Sequence, residues 1–443
     1  MSYVGAADLF LIFLVISFGY PRRAIWLFLF LACAVPDSSM LYVRLLSIKL
    51  GSLNVRFDEI FFLAIMSVFF IRQLLGMDHR LSWFSMSAPL VLFLVYVAIS
   101  TVITARSGGH LSSDAILSVR KVSYYLIAFP AFVWLHRKKD VRSYLSAIFS
   151  GLTVFNLFYI YLTVSHSSAT QYFYTRGASG PLSVPNGEWF VFFLPLGILL
   201  ISEYRGFTRL CSAIAVSIFL VVLIIGQNRT GWVSVATGLV FLGYEMRRHR
   251  LLKLPVVILG LSSVIAVSGL IWIFLPLERS VDTADLARRW NELFEQNLSS
   301  EKAFAGREGM VLTAFVKIAE RPLFGNGPGT FVSVPWISGK GRWDINSVDM
   351  VHVTLLLYFG IVGYFLFAKF FFKFVKAGWR LANYRDRETR LIGIWQRSAT
   401  PAYFFFSLTT DWYLLSKLVV LIAVLAAVME FLLRFSHSEN KIA

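Results

Sequence analysis

Charge is scarce in this chain of 443 residues. Only 15% of the residues are Asp, Glu, Lys or Arg, whereas 57% are hydrophobic. A soluble domain has about a quarter charged residues, so the composition excludes an ordinary soluble protein. Cysteine is scarce as well: Cys33 and Cys211 both lie in apolar runs, which argues against a disulfide scaffold. No Cys/His cluster has metal-ligand spacing, and we expect neither a metal nor a cofactor.

Long apolar runs are what the sequence has instead. Runs of this length fit helices that cross a hydrocarbon core of about 30 Å. We therefore predict an all-α, polytopic helical membrane protein with about twelve or thirteen spans. The predicted spans are 4–19, 23–36, 57–75, 86–105, 118–135, 143–165, 188–203, 210–226, 230–245, 254–275 and 351–376, followed by 399–434, which is one bent span or two short ones.

The net charge of +17 concentrates in a few short loops. In a membrane protein such loops indicate the cytoplasmic side, so we expect the lipid bilayer as a partner and no nucleic acid. The basic loops are 21–23, 136–142, 247–250 and a long stretch from Lys369 to Arg397. The opposite side then holds loops 36–56, 106–117, 166–187 and 276–350.

This division gives three regions. Residues 1–275 form about ten spans, 276–350 form a periplasmic loop domain with short helices, and 351–443 form the C-terminal spans and a cytoplasmic tail. The large loop is nearly neutral, with nine Lys/Arg and ten Asp/Glu. The chain has no Walker-type glycine loop, so ATP hydrolysis is not indicated.

The segment GREGMVLTAFVKIAERPLFGNGPGTF, residues 306–331, predicts a helix over 307–320 that ends before Pro322. Val311, Ala314, Phe315 and Ile318 fall on its apolar side, and Arg307 lies in line with that side. An Arg there needs an anionic partner, a wet cavity or a path to the interface. The glycines of 325–329 favour a tight turn, although their N–H groups could also contact a phosphate.

Two further Arg-containing segments are predicted on the same side. In GQNRTGW, 226–232, Arg229 separates two apolar runs, where it is either functional or an interfacial residue of a plain hairpin. In RGASGPLSVPNGEWF, 176–190, Arg176 precedes a loop rich in Gly, Pro and Ser. Asn186 is placed to cap the next helix.

His352 lies where the large loop re-enters the membrane. A neutral His at such a mouth can act as a general base near pH 7, although a His at a helix start can also be structural. Asp349 lies one helical turn earlier, so it could orient the imidazole or be the base itself. The Arg loops and this His suit group transfer from a diphosphate donor, with guanidinium groups stabilising the leaving group and no need for a metal.

These segments together resemble the O-antigen ligase and O-antigen polymerase superfamily of bacterial polysaccharide assembly. The resemblance covers roughly residues 150–370. Its motifs are Arg176 with GPLSVPNG, QNRTGW at 227–232, GREG at 306–309, RPLFGNGPGTF from Arg321 to Phe331, and His352 with FGIVG at 359–363. His352 departs from the family pattern, because Val353 follows it where the family has Asn.

The resemblance implies an inverting, metal-independent membrane glycosyltransferase, similar to the GT-C type. It would transfer an undecaprenyl-diphosphate-linked glycan en bloc to a sugar hydroxyl on the periplasmic face of the bacterial inner membrane. It implies that Arg229 and Arg307 contact the diphosphate, and it adds Arg176, Asn186 and Arg321 as donor contacts. His352 is then the base, or Asp349 in a stricter register.

The acceptor separates two readings of the resemblance. A polymerase uses the next repeat unit as its acceptor, and a chain-length regulator protein is then a possible partner. A ligase uses a sugar of lipid A–core as its acceptor. The spacing from Arg176 to Gly187 favours the polymerase. A lipid-linked oligosaccharide transporter and a structural scaffold are the alternatives of other classes, and the clustering of polar residues at one mouth favours an enzyme over both.

Overall fold

The protein is described by a computed structural model that covers most of the apolar runs. The described residues are 3–34, 47–50, 53–78, 85–108, 113–164, 187–225, 229–251, 301–335, 342–345, 350–408 and 416–442.

Helices dominate these residues. In chain order they are α1 (Tyr3–Gly19), α2 (Pro21–Ala34), α3 (Phe57–Leu74), α4 (Ser87–Gly108), α5 (Ser113–Ser123), a 3-10 turn (Tyr124–Ile127), α6 (Ala128–Val133), α7 (Lys138–Val164), α8 (Gly187–Glu203), α9 (Phe207–Ile225), α10 (Arg229–Arg248), α11 (Glu301–Glu320), α12 (Val351–Leu381), α13 (Arg387–Ser407) and α14 (Ser416–Ile442).

Two short antiparallel hairpins interrupt this helical architecture. Strand β1 (Ser47–Leu50) pairs with β2 (Leu53–Arg56), with Ser47 opposite Arg56. Strand β3 (Val332–Pro335) pairs with β4 (Arg342–Ile345), with Val332 opposite Ile345. Both hairpins fall in loops that the sequence places outside the bilayer. The all-α prediction therefore holds for the described apolar helices and misses these two hairpins.

The helices fit a helical membrane protein, as the apolar runs predict. Four described helices contain segments long and apolar enough to cross a membrane: Ser87–Arg106, Lys138–Phe158, Val351–Leu381 and Leu418–Phe435. The predicted runs at 4–19, 188–203 and 210–226 form shorter apolar helices. The predicted span 254–275 lies outside the described residues.

Helix α14 occupies the interior of the bundle. Every residue from Leu418 to Met429 is buried, and the helix packs against α6, the 3-10 turn and α12. A helix that is apolar all round its circumference belongs in a core and not at a polar surface. Glu430, at the end of this stretch, accepts hydrogen bonds from the Ser85 backbone N–H and hydroxyl at 3.1 and 2.7 Å.

Two predicted boundaries were wrong. The run 118–135 is not one helix, because it passes through the 3-10 turn Tyr124–Ile127. The stretch 369–397, predicted as a basic cytoplasmic loop, is mostly helix: α12 continues to Leu381 and α13 begins at Arg387. The run 399–434 falls on two helices, α13 and α14, which agrees with the second of its two predicted alternatives. The basic residues of α13 interrupt its apolar pattern, so hydropathy alone did not identify this helix.

The basic loops do gather at one end of the bundle. Arg22 lies 3.6 Å from Asp140, and Lys138 lies 3.3 Å from Asp386. Ion pairs also join Arg142 to Glu388 and Arg387 to Glu203, and the Arg397 guanidinium lies 3.4 Å from Glu245. Sorting the loops by charge therefore groups segments that are neighbours in space.

Helix α12 is broken at Gly360, where φ is 62° and ψ is −167°. A break leaves backbone groups without their helical partners, and such groups are costly inside a membrane. The segment 321–327 supplies the partners. The N–H groups of Asn326 and Gly327 donate to the carbonyls of Leu357 and Tyr358, at 2.8 and 2.9 Å.

The pairing continues on the other side of the break. The N–H groups of Ile361 and Val362 donate to the carbonyls of Pro322 and Leu323, at 2.9 and 3.1 Å. The Tyr96 hydroxyl on α4 lies 3.0 Å from the carbonyl oxygen of Phe324 and 2.9 Å from that of Phe359. Three elements, α4, the 321–327 segment and α12, are thus joined at one point.

Glycine is required at this junction. Gly325 has φ of 77°, and a Cβ there would lie 2.5 Å from the Gly360 nitrogen. A Cβ at Gly360 would lie equally close to the Gly325 nitrogen. The two backbones touch with no room for a side chain.

We predict that Gly325→Ala and Gly360→Ala each destabilise the protein by about 2–4 kcal/mol, since the left-handed conformation costs roughly 1–2 kcal/mol and the backbone overlap adds to it. Thermal unfolding of the purified protein in detergent measures the change. The matched control is Gly243→Ala in α10, where an added Cβ meets nothing within 4 Å and the φ is not positive. Equal melting temperatures for Gly325→Ala and the wild type would contradict the junction.

A second prediction concerns Asp78, which follows α3. Burial alone would raise the pKa of this carboxyl, but hydrogen bonds from Arg72 and the Trp134 indole, with the Arg72 charge, lower the pKa below its usual 3.8. A lowered folded pKa contributes stability that is complete above the unfolded value and is lost as pH falls through the folded one. When the pH is lowered from 6 to 3, the melting temperature should therefore fall once the pH is below about 4. Asp78→Asn should have a lower melting temperature than the wild type at pH 6, and its melting temperature should fall less between pH 6 and pH 3. The same dependence of melting temperature on pH in both proteins would contradict the assignment.

Candidate functional site

His352 lies in the first turn of α12 and is half-buried. Its Nε2 atom lies 3.1 Å from the Ser407 Oγ on α13, and its Nδ1 atom lies 3.2 Å from the Tyr364 hydroxyl. The rings of Tyr364 and Phe404 flank the imidazole, with centroids 5.9 and 6.0 Å away. The imidazole is therefore held from two helices by both of its nitrogens.

The hydrogen bond from Ser407 to the Phe404 carbonyl favours one tautomer of the imidazole. The Ser407 hydroxyl donates its proton to the Phe404 carbonyl at 2.6 Å, so it can only accept from His352. In that tautomer Nε2 carries the proton, and Nδ1 accepts from the Tyr364 hydroxyl. The basic lone pair of His352 faces Tyr364.

The break at Gly360 makes this contact possible. Twelve residues separate His352 from Tyr364, which is about 18 Å along a straight helix. In a straight helix, both side chains would point toward the N-terminus, so a His and a Tyr could not reach each other over this distance. The bent α12 therefore builds the His352–Tyr364 pair, and the 321–327 segment holds the bend.

Arg321 begins the same segment and is exposed. It borders a groove of about 510 Å³ between α4 and residues 321–325. The α4 wall consists of Tyr96, Ile99, Ser100, Ile103 and Thr104. His352 forms its hydrogen bonds and ring contacts with residues of α12 and α13, and Arg321 is not among these partners.

The 325–329 segment is a turn, as its glycines favour. Gly325, Gly327 and Gly329 all have positive φ. The N–H groups of Gly325, Asn326 and Gly327 donate to the carbonyls of Arg321, Leu357 and Tyr358, and the Asn326 side-chain amide donates to the Lys317 carbonyl at 2.7 Å. Because these three N–H groups are occupied by backbone, the alternative of a phosphate cradle is wrong for them.

Helix α11 contains Arg307 and begins six residues earlier than the predicted residue 307. Its Glu320 end, two residues before Pro322, agrees with the prediction. Ala314 and Ile318 are buried and Val311 is half-buried, but Phe315, predicted on the same side, is 49% exposed. The apolar stripe is thus narrower than the pattern suggests, because the long run of apolar residues blurs its edge.

The structure locates Arg229 and Arg307 by their backbones. Arg229 is the first residue of α10, and Arg307 lies in the first half of α11. Arg176, Asn186 and Asp349 lie outside the described residues, as do the loops that contain Arg176 and Asn186. Their predicted roles stay predictions.

Sequence reasoning missed Tyr364, Ser407 and Tyr96. Tyr364 directly follows the FGIVG motif, but nothing in a straight-helix interpretation brings it to His352. Ser407 is one of many serines in apolar runs, and only the packing of α13 on α12 selects it. The contact of Tyr364 with His352 could be predicted only by knowing that Gly360 has a positive φ. The only indication in the sequence is the glycine itself.

The chain was also compared with known proteins. No protein-family model matches it, and no curated protein matches it significantly. The resemblance to the polysaccharide-assembly superfamily therefore depends on the ordered motifs alone.

Proposed function

We propose that the protein is a membrane glycosyltransferase that transfers a glycan en bloc from undecaprenyl diphosphate to a sugar hydroxyl. In this proposal it is a multi-pass protein of the bacterial inner membrane with about twelve or thirteen spans. Its large loop and its active site face the periplasm. The favoured reaction is repeat-unit polymerisation of O-antigen or exopolysaccharide, with inversion at the anomeric carbon.

The observation that most supports the proposal is the oriented imidazole of His352. A His that acts as a general base must be uncharged before the reaction. One of its lone pairs must point at the proton that it accepts. Tyr364 and Ser407 hold His352 in the tautomer that leaves Nδ1 basic. His352 lies in the first turn of an apolar helix, as a base at a membrane mouth would.

The reaction then proceeds as one displacement. The acceptor hydroxyl loses its proton to Nδ1 of His352, either directly after Tyr364 rotates away or through the Tyr364 hydroxyl, which gives its own proton to Nδ1 as it receives another. The acceptor oxygen forms a bond to the anomeric carbon while the bond from that carbon to the diphosphate oxygen breaks. The leaving diphosphate carries away the electron pair, and guanidinium groups stabilise its charge.

Arg229, Arg307 and Arg321 are the cations that we assign to the diphosphate, with Arg176 and Asn186 as further donor contacts. Bidentate hydrogen bonds make Arg the suitable residue for this group. Asp349 is the alternative base. A ligase that uses lipid A–core as acceptor is the alternative reaction, since the same base and cations would serve either acceptor. A chain-length regulator is the partner expected for a polymerase.

The broken helix gives a transporter its one specific argument, because discontinuous helices near the middle of the membrane form the substrate sites of many transporters. Such sites use the backbone groups that the break sets free. Here the carbonyls of Leu357 and Tyr358 and the N–H groups of Ile361 and Val362 are bonded to residues 322–327. The break is closed by protein, which favours the enzyme.

The polysaccharide ladder of a deletion strain tests the reaction. Loss of a polymerase leaves core with a single repeat, whereas loss of a ligase leaves polymer on undecaprenyl diphosphate. We predict that His352→Ala reproduces the deletion phenotype, because removing a general base slows catalysis by roughly 10²–10⁴-fold. An unchanged ladder in the deletion strain, with secreted polysaccharide also unchanged, would contradict both reactions.

His249→Gln is the matched control, since this half-buried His lies beside Glu245, near the basic end of the bundle. It should restore the ladder at equal protein level. Asp349→Asn distinguishes the two candidate bases: a full ladder supports His352, whereas loss with Asp349→Asn and a full ladder with His352→Ala would move the role to Asp349.

We further predict that Tyr364→Phe lowers kcat more than it raises KM and shifts the pH profile of kcat, because it removes the hydroxyl that faces Nδ1. A purely structural Tyr would change the amount of folded protein and leave the pH profile in place. Steady-state kinetics over pH 5–9, with His352→Gln in parallel, measures the difference.

A further inference from the structure

A second groove, of about 710 Å³, lies between α7, α8, α9 and α13. Its lining residues on α13 end at Ile392, whereas Ser407, the partner of His352, lies fifteen residues further along the same helix. That separation is about 22 Å along the helix axis. The groove is therefore separate from the candidate catalytic site.

The groove follows α7 over the thickness of one membrane leaflet. Its α7 residues recur at the spacing of one helical face and lie in the membrane-crossing segment Lys138–Phe158. From Arg142 to Val154, two of these lining residues, the helix rises by about 18 Å. Half of a hydrocarbon core of about 30 Å is about 15 Å. An acyl chain from one leaflet thus matches the groove in length.

The wall that α7 contributes is apolar in effect, although it contains hydroxyl groups. Ser146, Ser150 and Thr153 each donate to a backbone carbonyl of the preceding turn, at 2.8, 2.7 and 2.8 Å. Leu199 and Ile214 belong to the walls that α8 and α9 contribute. Because the α7 hydroxyls already have acceptors, this part of the groove suits a hydrocarbon chain better than a sugar or a nucleotide.

Charged residues line the groove at one end alone. They are Lys138, Arg142 and Glu388. Arg142 pairs with Glu388, and the Lys138 ammonium lies 3.3 Å from Asp386. The Arg142 side chain is 59% exposed, and an Arg has five N–H donors, so one ion pair leaves donors for a second anion.

Two further cations adjoin this end of the groove. Arg205 and Arg209 each directly follow a residue that lines it. The Nε atom of Arg209 is buried and has no hydrogen-bond partner within the described part of the chain. Glu203, the acid nearest to them in the sequence, is paired with Arg387. Positive charge is therefore in excess here, which favours a net anionic headgroup over a zwitterionic one.

We infer that this groove binds an anionic phospholipid of the cytoplasmic leaflet, with its phosphate on Arg142 and one acyl chain along α7. The basic loops assign this end of the bundle to the cytoplasm, and basic pockets between membrane helices on that side bind such headgroups. The volume of the groove lies within the roughly 300–1,000 Å³ usual for ligand sites. The site does not depend on the proposed transfer reaction.

Native mass spectrometry of the full chain tests the inference. The purified, delipidated protein in detergent is titrated with phosphatidylglycerol, phosphatidylethanolamine or phosphatidylcholine of the same acyl composition. The wild type should bind phosphatidylglycerol about fivefold or more tightly than either zwitterionic lipid, and Arg142→Ala should weaken this binding about fivefold.

Two variants separate the phosphate contact from a general effect of charge. Arg142→Ala leaves Glu388 without its partner, so Arg142→Ala/Glu388→Gln is measured in parallel and should still bind weakly. Arg137→Ala removes an exposed cation that directly precedes α7 and does not line the groove. It should bind within about twofold of the wild type, because solvent and salt screen a cation outside the groove.

Two further variants locate the acyl chain. Ile214→Trp fills the groove from an exposed position on α9 and should weaken binding without removing a charge. Leu210→Trp enlarges an exposed position on the same helix outside the groove and should bind as the wild type does. Melting temperatures confirm that each variant is folded.

Two results would overturn the inference. Equal binding of phosphatidylglycerol and phosphatidylcholine by the wild type identifies an ordinary lipid-facing surface. Phosphatidylglycerol that binds Arg142→Ala/Glu388→Gln and Ile214→Trp as tightly as the wild type lies elsewhere on the protein. Both results leave the proposed transferase intact.

Discussion

The backbone pairing between residues 321–327 and the broken helix α12 holds together the elements that form the candidate site. Inside a membrane, a helix can break only where other groups satisfy its freed backbone. Here four N–H groups, from Asn326, Gly327, Ile361 and Val362, donate across the junction. This pairing fixes the bend of α12, draws a loop segment against the middle of α4, and places Arg321 and His352 on elements that cannot move independently.

The bend has a direct chemical consequence. A straight α12 would separate Tyr364 from His352, and the imidazole would have a bond to Ser407 alone. With the bend, both ring nitrogens are engaged and one tautomer is selected. Two glycines, which adopt positive φ without steric cost, thus allow the bend that orients a candidate base.

Much of the fold could be predicted from the sequence, since apolar runs of membrane length need no tertiary information. The helices near 57–75, 86–105 and 143–165 follow from hydropathy, and grouping the basic loops correctly identified segments that form ion pairs such as Lys138–Asp386. Prediction failed where polar residues are part of a helix, as in α13, whose Arg390 and Arg397 resemble a loop. It failed also at the Tyr124–Ile127 turn, which interrupts an unbroken apolar run.

The candidate site was predicted less completely than the fold. His352 was selected by its position at a membrane mouth, and the turn at 325–329 by its glycines, because both signals are local. The partners of His352 come from residue 364 across a break and from residue 407 on another helix, and no local pattern specifies such contacts. The groove beside Arg321 likewise needs α4, more than 200 residues away, to form its second wall.

In the proposed reaction, the protein breaks the bond between a glycan and a lipid diphosphate. The most direct measurement is the release of undecaprenyl diphosphate from an undecaprenyl-diphosphate-linked glycan, mixed with the purified full chain and an acceptor glycan. We expect the release to depend on the acceptor and to yield a longer glycan in equal amount. If the lipid-linked glycan is bound, or moved across a vesicle bilayer, but stays intact, the transferase reaction is contradicted.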